Sequence, residues 1–414
     1  MIVPGSEKVY SEVERAVRKL LSYCEENQWA GYDPYDALNS KVFAVLPFLN
    51  CRIGRLILTQ TLKRSPINFR RVLRVPKTQN PKAISLFLSA LLKLSRIGIL
   101  KHEDHAGVMI ERLIELRSRN IPYWCWGYSF PWQTRTVLVP VGAPNLVCTA
   151  FVANGLLDAY EVRKDSQCLR MAVSAGEYLL NRLYWSEGDS VVGFAYPLPS
   201  QRDQVHNANF LAGALLARLY NHTGEHRFLT PALAAARRSA AKQNLDGSWT
   251  YGEAANQAWI DNFHTGYNLC ALKSISRDVG TAEFDSHLRR GFEFYRTHFF
   301  LEDGSVRYFH NRTYPIDIHC LAQSIITLLS LKDLDPGNVA LAESVFRWAM
   351  DHIWDDRGFF HYRMLRFCRI RTSYMRWSQA WMLLALATLL DESICDETDK
   401  VDRRVVSVVR GKRG

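Results

Sequence analysis

Five side chains with acid–base capability lie near the starts of two apolar segments: Asp261, His264, Tyr267, Asp317 and His319. We predict that the catalytic groups of an enzyme are among them. Two carboxylates from neighbouring segments could serve glycoside hydrolysis, where their separation decides the stereochemical outcome. Alternatively, Arg135 or Arg376 could neutralise a uronic acid while His264 or Tyr267 removes the proton at C5, which is lyase or epimerase chemistry. The residues alone leave these reactions open.

Aromatic and polar side chains recur along the same stretches, and their chemistry suits a sugar. Aromatic rings stack on the C–H faces of pyranose rings. Amides and carboxylates bind hydroxyl groups, and arginine pairs bidentately with a carboxylate. We predict that a glycan is bound by Asp33, Tyr35, Asp36, Trp126, Tyr128, Trp132, Arg135, Asn145, Asn207, Asn209, Trp249, Trp259, Asn262, Tyr314, Tyr374, Arg376, Trp377 and Gln379.

Structural roles compete with these functional ones. Asn207, Asn262 and Asp317 each begin a predicted helix and are equally candidates for N-caps. Trp249 and the tyrosines that recur with it could pack between repeats, which is the interpretation we favour for most of them. A lone histidine such as His319 is more often structural than catalytic. Function is favoured by recurrence, because at least five predicted helices begin with polar or aromatic groups at the same end.

An internal repeat would position these residues. Each repeat consists of a helix that is apolar on all faces, an amphipathic helix, and a glycine-containing turn that leads to an aromatic residue and a tyrosine. The tyrosines are Tyr196, Tyr251, Tyr308 and Tyr362, at intervals of 55 (251−196), 57 (308−251) and 54 (362−308) residues. A helix that is apolar all round is covered by other helices, whereas an amphipathic helix has one face in solvent.

The apolar helices are predicted at 82–97, 145–160, 207–220, 262–276, 317–331 and 376–390, and their amphipathic partners at 105–119, 166–183, 226–243, 282–299 and 337–352. The sixth apolar helix has no partner after it, and the amphipathic segment 7–27 supplies one. Stacked helix pairs need neighbours to bury their apolar faces. We therefore predict an all-α (α/α)6 toroid, a six-hairpin barrel, with the N-termini of the inner helices at one rim. An open helical solenoid is the alternative.

The toroid is expected to form one domain over residues 1–395. Residues 31–80 do not follow the repeat, and we expect this insert to lie across one mouth of the ring. It contains a proline-bounded loop and a stretch, 42–62, that could form one more helix. Residues 396–414 are basic and are expected to form a flexible tail.

Composition restricts the class of protein. The 414 residues are 48% apolar and 22% charged, as in a globular enzyme, and the net charge is +11. No nucleic-acid motif accompanies the basic residues, so we predict no nucleic-acid partner; an anionic glycan or a membrane surface would explain the charge. We recognise no signal peptide and no apolar run of membrane-spanning length, and the nine cysteines form no CxxC pair. These features predict a cytoplasmic protein with reduced thiols, and we predict neither a metal nor another cofactor.

Residues 243–249, Gln-Asn-Leu-Asp-Gly-Ser-Trp, resemble the QW repeat of squalene cyclases and related (α/α)6 toroids, although the acidic DxDD motif of the cyclases is absent. The chain also resembles bacterial polysaccharide-biosynthesis proteins of the VpsJ-like group. The matching stretches are Gly-Tyr-Asp-Pro-Tyr-Asp-Ala-Leu at 31–38, Cys-Trp-Gly-Tyr at 125–128, Trp-Gln-Thr-Arg at 132–135, and 259–268, 314–319 and 374–381. This resemblance implies a cytoplasmic toroid for capsule, lipopolysaccharide or exopolysaccharide production, and it assigns no catalytic residue. Related six-hairpin folds include unsaturated glucuronyl hydrolases, polysaccharide lyases and glucuronyl epimerases, which is an analogy of fold only.

Three functions remain open from the sequence. The first is an enzyme that modifies an oligo- or polysaccharide, anionic or lipid-linked, with peripheral contact to membrane-bound polysaccharide machinery. The second is a non-catalytic glycan-binding or assembly protein. The third is a terpenoid cyclase-like enzyme, in which Asp261 would be the proton donor.

Overall fold

The computed structural model describes residues 6–46, 50–100, 104–188 and 191–392, which are mostly helical. In chain order the helices are α1 (Ser6–Glu26), α2 (Lys41–Ala44), α3 (Arg52–Arg64), α4 (Pro81–Arg96), α5 (His105–Glu115), α6 (Leu146–Arg163), α7 (Ser166–Tyr178), α8 (His206–Thr223), α9 (His226–Ala240), α10 (Asn262–Val279), α11 (Asp285–Phe299), α12 (Ile318–Ser330), α13 (Asn338–His352) and α14 (381–392). A π-helical segment, Met375–Ala380, leads directly into α14.

Short antiparallel strands connect the helices at the ends of the repeats. They are β1 (Trp132–Gln133) with β2 (Leu138–Val139), β3 (Tyr184–Glu187) with β4 (Val191–Phe194), β6 (Trp354–Asp355) with β7 (Phe359–Phe360), and a three-stranded sheet in the order β5 (Ile316–Asp317), β8 (Arg363–Met364), β9 (Arg369–Ile370). None is longer than four residues among the described segments, so the helices carry the architecture.

The apolar helices form a closed inner ring. Helices α4, α6, α8, α10 and α12 contact one another in that order, and the π-helical segment before α14 contacts both α12 and α4. Lys93 of α4 also forms an ion pair with Asp391 of α14, at 3.1 Å. The predicted (α/α)6 toroid is therefore confirmed, and the open solenoid is not what the chain forms.

The amphipathic helices form the outer layer. Helices α5, α7, α9, α11 and α13 each pack on the inner helix that precedes them in the chain. The sixth outer position is filled by α1, which contacts the π-helical segment. Its Tyr23 hydroxyl bonds to Ser373 Oγ at 2.9 Å. The N-terminal helix is thus the missing partner of the last inner helix.

Tight turns between the repeats depend on glycine. Gly247, Gly304 and Gly358 adopt φ values of +90°, +85° and +91°, a region that a Cβ atom disfavours. Asp246 and Asp303 each accept a hydrogen bond at Oδ1 from the backbone N–H two residues later, both at 2.9 Å. These turns bring the chain from an outer helix back toward the rim where the next inner helix begins.

The segment that resembles a QW repeat ties two outer helices together. Gln243 Nε2 donates to the carbonyl oxygens of Gly247 at 2.8 Å and of His287, in α11, at 2.9 Å. Trp249 is buried and its Nε1 donates to the Ser239 carbonyl of α9 at 3.0 Å. The observed contacts of this segment are therefore structural.

The insert differs from its predicted form. The single helix expected at 42–62 is replaced by α2, which ends at Ala44, and α3, which begins at Arg52. Pro47 stands between them in the sequence, and a proline removes the N–H that a continuous helix requires. Residues 396–414, for which a flexible tail was predicted, lie outside the described residues. Within the described ranges, no helix combines the length and apolarity needed to cross a membrane.

Candidate functional site

A cavity of about 500 Å³ opens at the rim where the inner helices begin. Each inner helix, counting the π-helical segment as the start of the sixth, contributes a side chain from its first turn. The contributing residues are Lys82, Val147, Asn207, His264, His319 and Arg376. The prediction that the inner N-termini meet at one rim is thus confirmed, and the cavity lies at their meeting point.

Aromatic rings from the connecting loops form the walls. They are Tyr35, Tyr128, Phe130, Trp132, Tyr196, Tyr251, Trp259, Tyr308 and Phe309. Three of the four repeating tyrosines are among them, namely Tyr196, Tyr251 and Tyr308. The sequence had favoured packing between repeats for most of these tyrosines. Tyr362 alone follows that interpretation, because it is buried against Tyr374 with ring centres 4.9 Å apart. A tyrosine can do both, since its ring packs on the loop while its polar end reaches the cavity.

Asp261 caps helix α10 and also holds His264. Its Oδ1 accepts a hydrogen bond from the His264 backbone N–H at 3.0 Å, and its Oδ2 lies 2.8 Å from His264 Nδ1. Trp259 Nε1 donates to the same Oδ2 at 3.0 Å. A carboxylate at Nδ1 selects the tautomer with the proton on that nitrogen, which leaves Nε2 free to exchange a proton in the cavity. Asp261 therefore serves both as the N-cap of α10 and as the hydrogen-bond partner that orients the His264 ring.

Tyr267 and His319 form the second polar pair on the wall. The Tyr267 hydroxyl lies 2.7 Å from His319 Nε2. His319 is almost fully buried, and its ring lies between those of Phe263 and Trp381, at 4.7 and 4.6 Å. Burial, followed by the electrostatic effect of the neighbouring Lys82 and Arg376, lowers the pKa of His319 well below its usual value. His319 is therefore a neutral imidazole at pH 7.

Burial acts in the opposite direction on the tyrosine of this pair. It raises the pKa of Tyr267 well above the usual value for a phenol, although the positive charge of Arg376 opposes the shift. Tyr267 therefore keeps its proton and remains a hydrogen-bond donor at neutral pH.

Lys82 places an amine in a nearly dry part of the cavity. Only 3% of the residue is exposed, and its Nζ lies 3.9 Å from the centre of the Phe151 ring. Burial and then the neighbouring Arg376 lower the pKa of Lys82 well below the usual value for a lysine. No carboxylate among the described residues pairs with it. Lys82 was not among the predicted site residues, because it stands in the first turn of an apolar helix and was assigned to its boundary.

Arg376 is fixed by a carboxylate of the insert. Its Nε and Nη2 donate to Asp33 Oδ2 and Oδ1 at 2.6 and 2.9 Å, and both side chains are buried. The guanidinium also lies 5.0 Å from the centre of the Tyr128 ring. This bidentate pair joins the insert to the start of the sixth inner helix directly at the cavity wall.

Asp317 does not reach the cavity, contrary to its predicted catalytic role. It caps α12, and its Oδ1 accepts hydrogen bonds from the His319 backbone N–H at 2.9 Å and from Trp377 Nε1 at 2.8 Å. Its Oδ2 accepts one from Arg363 Nε at 2.8 Å. Asp317 is thus a fully buried positioning residue. Asp261 is left as the one carboxylate that lines the cavity in the described part of the chain.

The predicted glycan-binding residues divide into two groups. Those that line the cavity are Tyr35, Tyr128, Trp132, Arg135, Asn207, Trp259, Arg376 and Trp377. Those that the structure places elsewhere are Asp33, Asp36, Trp126, Asn145, Asn209, Trp249, Asn262, Tyr314, Tyr374 and Gln379. Asn207 is not an N-cap, since α8 begins at His206, and its buried side-chain oxygen has no partner in the described structure.

Several polar residues of the second group hold the backbone of the rim. Asn145 caps α6 by accepting from the Cys148 N–H at 2.9 Å. Asn209 and Gln379 accept hydrogen bonds from the backbone N–H groups of the hairpin strands, at Phe194 (3.0 Å) and Phe360 (2.9 Å). Their recurrence in the sequence reflects this shared structural task.

Most of the remaining residues of the second group make contacts inside the protein. Asp36 pairs with Arg70 at 2.7 Å, and the Asn262 side chain bonds to Ser324 at 3.2 Å. Trp126 donates to the Leu113 carbonyl, and Tyr374 packs on Tyr362. Tyr314 is partly exposed outside the cavity.

Sequence reasoning missed a further group of cavity residues. Besides Lys82 and the three tyrosines, these are Phe130, Val147, Phe263, Phe309 and Arg312. Phe130 and Phe263 lie within two residues of predicted site residues, so proximity was the available signal for them. Across the described residues, no three His, Cys, Asp or Glu side chains converge as a metal site would require.

The sequence matches no family model and no curated protein. Solved structures do match it. The cellobiose 2-epimerase of Bacillus thermoamylovorans is 11% identical with a TM-score of 0.59, over 76% of this chain and 88% of that one. A family 76 α-mannanase of Bacteroides thetaiotaomicron is 11% identical with a TM-score of 0.60, over 78% and 90%. An unsaturated glucuronyl hydrolase of Streptococcus agalactiae is 11% identical with a TM-score of 0.59, over 92% of both chains.

The fold is that of the six-hairpin toroids. At these identities the likeness shows the architecture alone. These three similar structures are of carbohydrate-acting proteins, whereas the chemistry of this chain has to be argued from its own cavity.

Proposed function

We propose that this protein is an enzyme that modifies a carbohydrate by proton transfer, with His264 as one proton-transfer group and the Tyr267–His319 pair as the other. The observation that carries the proposal is the placement of these two differently held histidines on one aromatic cavity. The ring of Phe263 contacts both, with centre distances of 4.1 Å to His264 and 4.7 Å to His319. Both groups are therefore within reach of a single sugar ring.

The two groups have different tasks. His264 can take up a proton at Nε2 because the Asp261 carboxylate at Nδ1 stabilises the imidazolium that results. Tyr267 keeps its proton and donates hydrogen bonds next to a neutral His319. In the proposed step, His264 Nε2 removes the proton from a sugar carbon beside a carbonyl or carboxyl group, and the electron pair moves onto the oxygen of that group as an enolate. Delivery of the Tyr267 hydroxyl proton to the other face of the same carbon gives epimerisation. If the enolate instead expels the substituent on the neighbouring carbon and Tyr267 protonates the departing oxygen, the result is elimination, and exchange with water restores both groups.

Hydrolysis by a pair of carboxylates has less support. That mechanism needs two carboxyl groups on opposite sides of the scissile bond. Asp261 lines the cavity, but Asp317 and Asp33 are turned to Arg363 and Arg376. A terpenoid cyclase also has less support, because its acid must donate a proton, whereas both oxygens of Asp261 accept N–H hydrogen bonds.

The substrate proposed is an oligo- or polysaccharide with an acidic sugar. The aromatic walls suit stacking on sugar rings. Arg135 and Arg312 face the cavity without a carboxylate partner among the described residues, which favours an anionic group on the substrate. The resemblance of the rim motifs to VpsJ-like proteins supports a place in surface-polysaccharide synthesis. The free thiols of the eight cysteines in the described ranges support a cytoplasmic location.

Proton exchange in D2O tests the chemistry directly. The protein would be incubated with reducing and uronate-containing oligosaccharides, and ¹H NMR would record loss of the carbon-bound proton and any new product. His264→Ala and His319→Ala should each slow exchange about 100-fold or more. The matched control is His226→Ala, on the exposed start of α9, which should retain the wild-type rate.

The outcomes separate the alternatives. Unchanged exchange in both variants would remove these histidines from the mechanism. Glycan binding by the wild-type protein without exchange or product would make it a binding or assembly protein. In the native strain, Asp261→Asn should change the linkage or epimer composition of the surface polysaccharide. A change in amount alone would contradict the enzymatic role.

A further inference from the structure

The positive charge of this protein is concentrated in one segment. Residues 37–102 contain thirteen Lys and Arg residues and no Asp or Glu. The rest of the chain has 39 basic residues (52−13) against 41 acidic ones, so its net charge is −2. The excess of +11 therefore belongs to this segment. Asp36 pairs with Arg70, and Asp391 pairs with Lys93 and Arg96, so the charge that these acids do not neutralise lies on the remaining basic residues, among them the exposed Arg52, Arg64, Arg71 and Arg74.

Exposed apolar side chains are concentrated in the same place. Thirteen large apolar side chains are exposed in the described structure, and six of them are Val45, Ile53, Ile57, Ile67, Phe69 and Val72. Ile53 and Val72 are 68% and 75% exposed. These six positions all lie between residues 45 and 72. Exposed apolar residues that cluster mark interaction surfaces, whereas single exposed apolar residues are ordinary.

Helix α3 shows how the two properties combine. Ile53 and Ile57 are four residues apart and share its exposed face, whereas Thr59 and Leu62 are buried. Exposed arginines at both ends, Arg52 and Arg64, flank the two isoleucines. An apolar face bordered by basic residues is typical of helices that lie on a membrane surface.

The segment after α3 continues this pattern. Ile67, Phe69 and Val72 are exposed, and so are the neighbouring Arg71 and Arg74. We call these five residues, together with Arg52, Ile53, Ile57 and Arg64, the basic apolar face.

Helix α3, which carries part of this face, contacts the cavity wall through residues outside the face. Lys63 Nζ donates a hydrogen bond to the hydroxyl of Tyr35, a wall residue, at 2.5 Å. Arg55 Nε donates to Gln133 Oε1 at 2.8 Å, beside the wall residue Trp132. The face is therefore carried by a helix that borders the wall of the cavity.

We propose that the basic apolar face docks on the anionic surface of a lipid bilayer and opens the cavity beside that surface. Anionic headgroups match a segment that has no acidic residue, and the interfacial region accepts exposed isoleucine and phenylalanine side chains. A soluble polyanion would use the arginines but would give the apolar side chains no partner. Docking itself does not depend on the proposed chemistry, since it uses none of the cavity residues.

Vesicle co-sedimentation of the full-length protein tests the proposal. The protein should bind phosphatidylcholine vesicles that contain phosphatidylglycerol, bind pure phosphatidylcholine weakly, and lose affinity as salt is raised. Ile53→Asp/Ile57→Asp and Arg71→Glu/Arg74→Glu should each weaken binding about tenfold or more. The matched control is Val162→Asp/Leu245→Asp, which alters two exposed apolar residues away from the face and should bind as the wild type does.

Two results would overturn the docking model. One is absence of binding to anionic vesicles, or equal binding by all variants. The other is loss of binding in the arginine variant but not in the isoleucine variant, with soluble heparin competing fully, which would identify a polyanion site. Circular dichroism and proton exchange on a soluble oligosaccharide should be unchanged in the face variants, so failure of docking is distinguishable from failure of the proposed function.

Discussion

Replacing Asp33 by asparagine would leave Arg376 as an unpaired charge in the cavity wall. The side chains of the two residues are only 7% and 5% exposed, and the guanidinium makes two hydrogen bonds to the carboxylate. Breaking a buried ion pair by removing one partner costs about 3–5 kcal/mol. The rings of Tyr128 and Trp377, at 5.0 and 5.5 Å, offset about 1 kcal/mol of this. We expect Asp33→Asn to lower the free energy of unfolding by about 2–4 kcal/mol.

A double-mutant cycle makes this test specific. Asp33→Asn, Arg376→Met and the double variant would be unfolded in urea and followed by circular dichroism. Removing both charges leaves neither one buried and unpaired, so the double variant should lose less stability than the sum of the single variants. If the losses of stability were additive, or if Asp33→Asn lost less than about 1 kcal/mol, Asp33 and Arg376 would not be energetically coupled as a buried ion pair.

The same substitution should also act on the cavity. Asp33 Oδ1 accepts a hydrogen bond from the Tyr35 backbone N–H at 3.0 Å, and Tyr35 lines the wall next to Trp377. We therefore expect Asp33→Asn to weaken glycan binding as well as stability. Titration calorimetry at a temperature where the variant is folded separates the two effects.

Three other variants examine single side chains of the cavity. Tyr267→Phe removes the hydroxyl that contacts His319 and should slow proton exchange about 100-fold while the circular dichroism spectrum is retained; exchange at the wild-type rate would exclude the pair from the mechanism. Lys82→Met removes a buried amine without a described carboxylate partner and should raise the free energy of unfolding at pH 7 by about 1–3 kcal/mol, so a less stable variant in urea would contradict the assignment. For His319 the folded pKa is below the unfolded value of about 6.5, so the unfolded chain binds more protons and stability is lost as pH falls below about 6.5. His319→Asn should flatten that dependence in unfolding measured between about pH 7 and pH 5, and an unchanged slope would assign it to other groups.

The helical ring follows from local patterns, which explains why it could be predicted. Helices apolar on all faces must be interior, and a turn containing glycine at intervals of 54–57 residues sets the repeat. The sequence does not show, however, how each inner helix is rotated about its axis and hence which of its first residues face the cavity. Asp317 and Asp261 both precede inner helices and both cap them, but only Asp261 faces the cavity. Since both satisfy the same local rule, the sequence around them does not distinguish their roles.

Contacts between distant parts of the chain account for most of the remaining differences between the predicted and the observed roles of the site residues. Asp33 and Asp36, in the proline-bounded loop of the insert, were predicted to bind glycan. The structure instead pairs them with Arg376 and Arg70, which are 343 and 34 residues away. Lys82 was missed for a similar reason, since its isolation from carboxylates depends on the neighbours that α6 and α14 supply. Pairing and burial of this kind have no signature in a single local window of sequence.

The closure of the ring by α1 and the π-helical segment has a consequence for synthesis of the chain. Tyr23 and Ser373 meet across 350 positions, and Lys93 meets Asp391 across 298. The five hairpins from α4 to α13 are therefore synthesised before the π-helical segment and α14, which close the ring. Until then, the apolar sides of α4 and α12 that contact this last segment remain uncovered. Contacts of such long separation also slow folding. The protein should need chaperone protection late in translation, and a chain truncated before residue 375 should aggregate, because its ring and its cavity stay open.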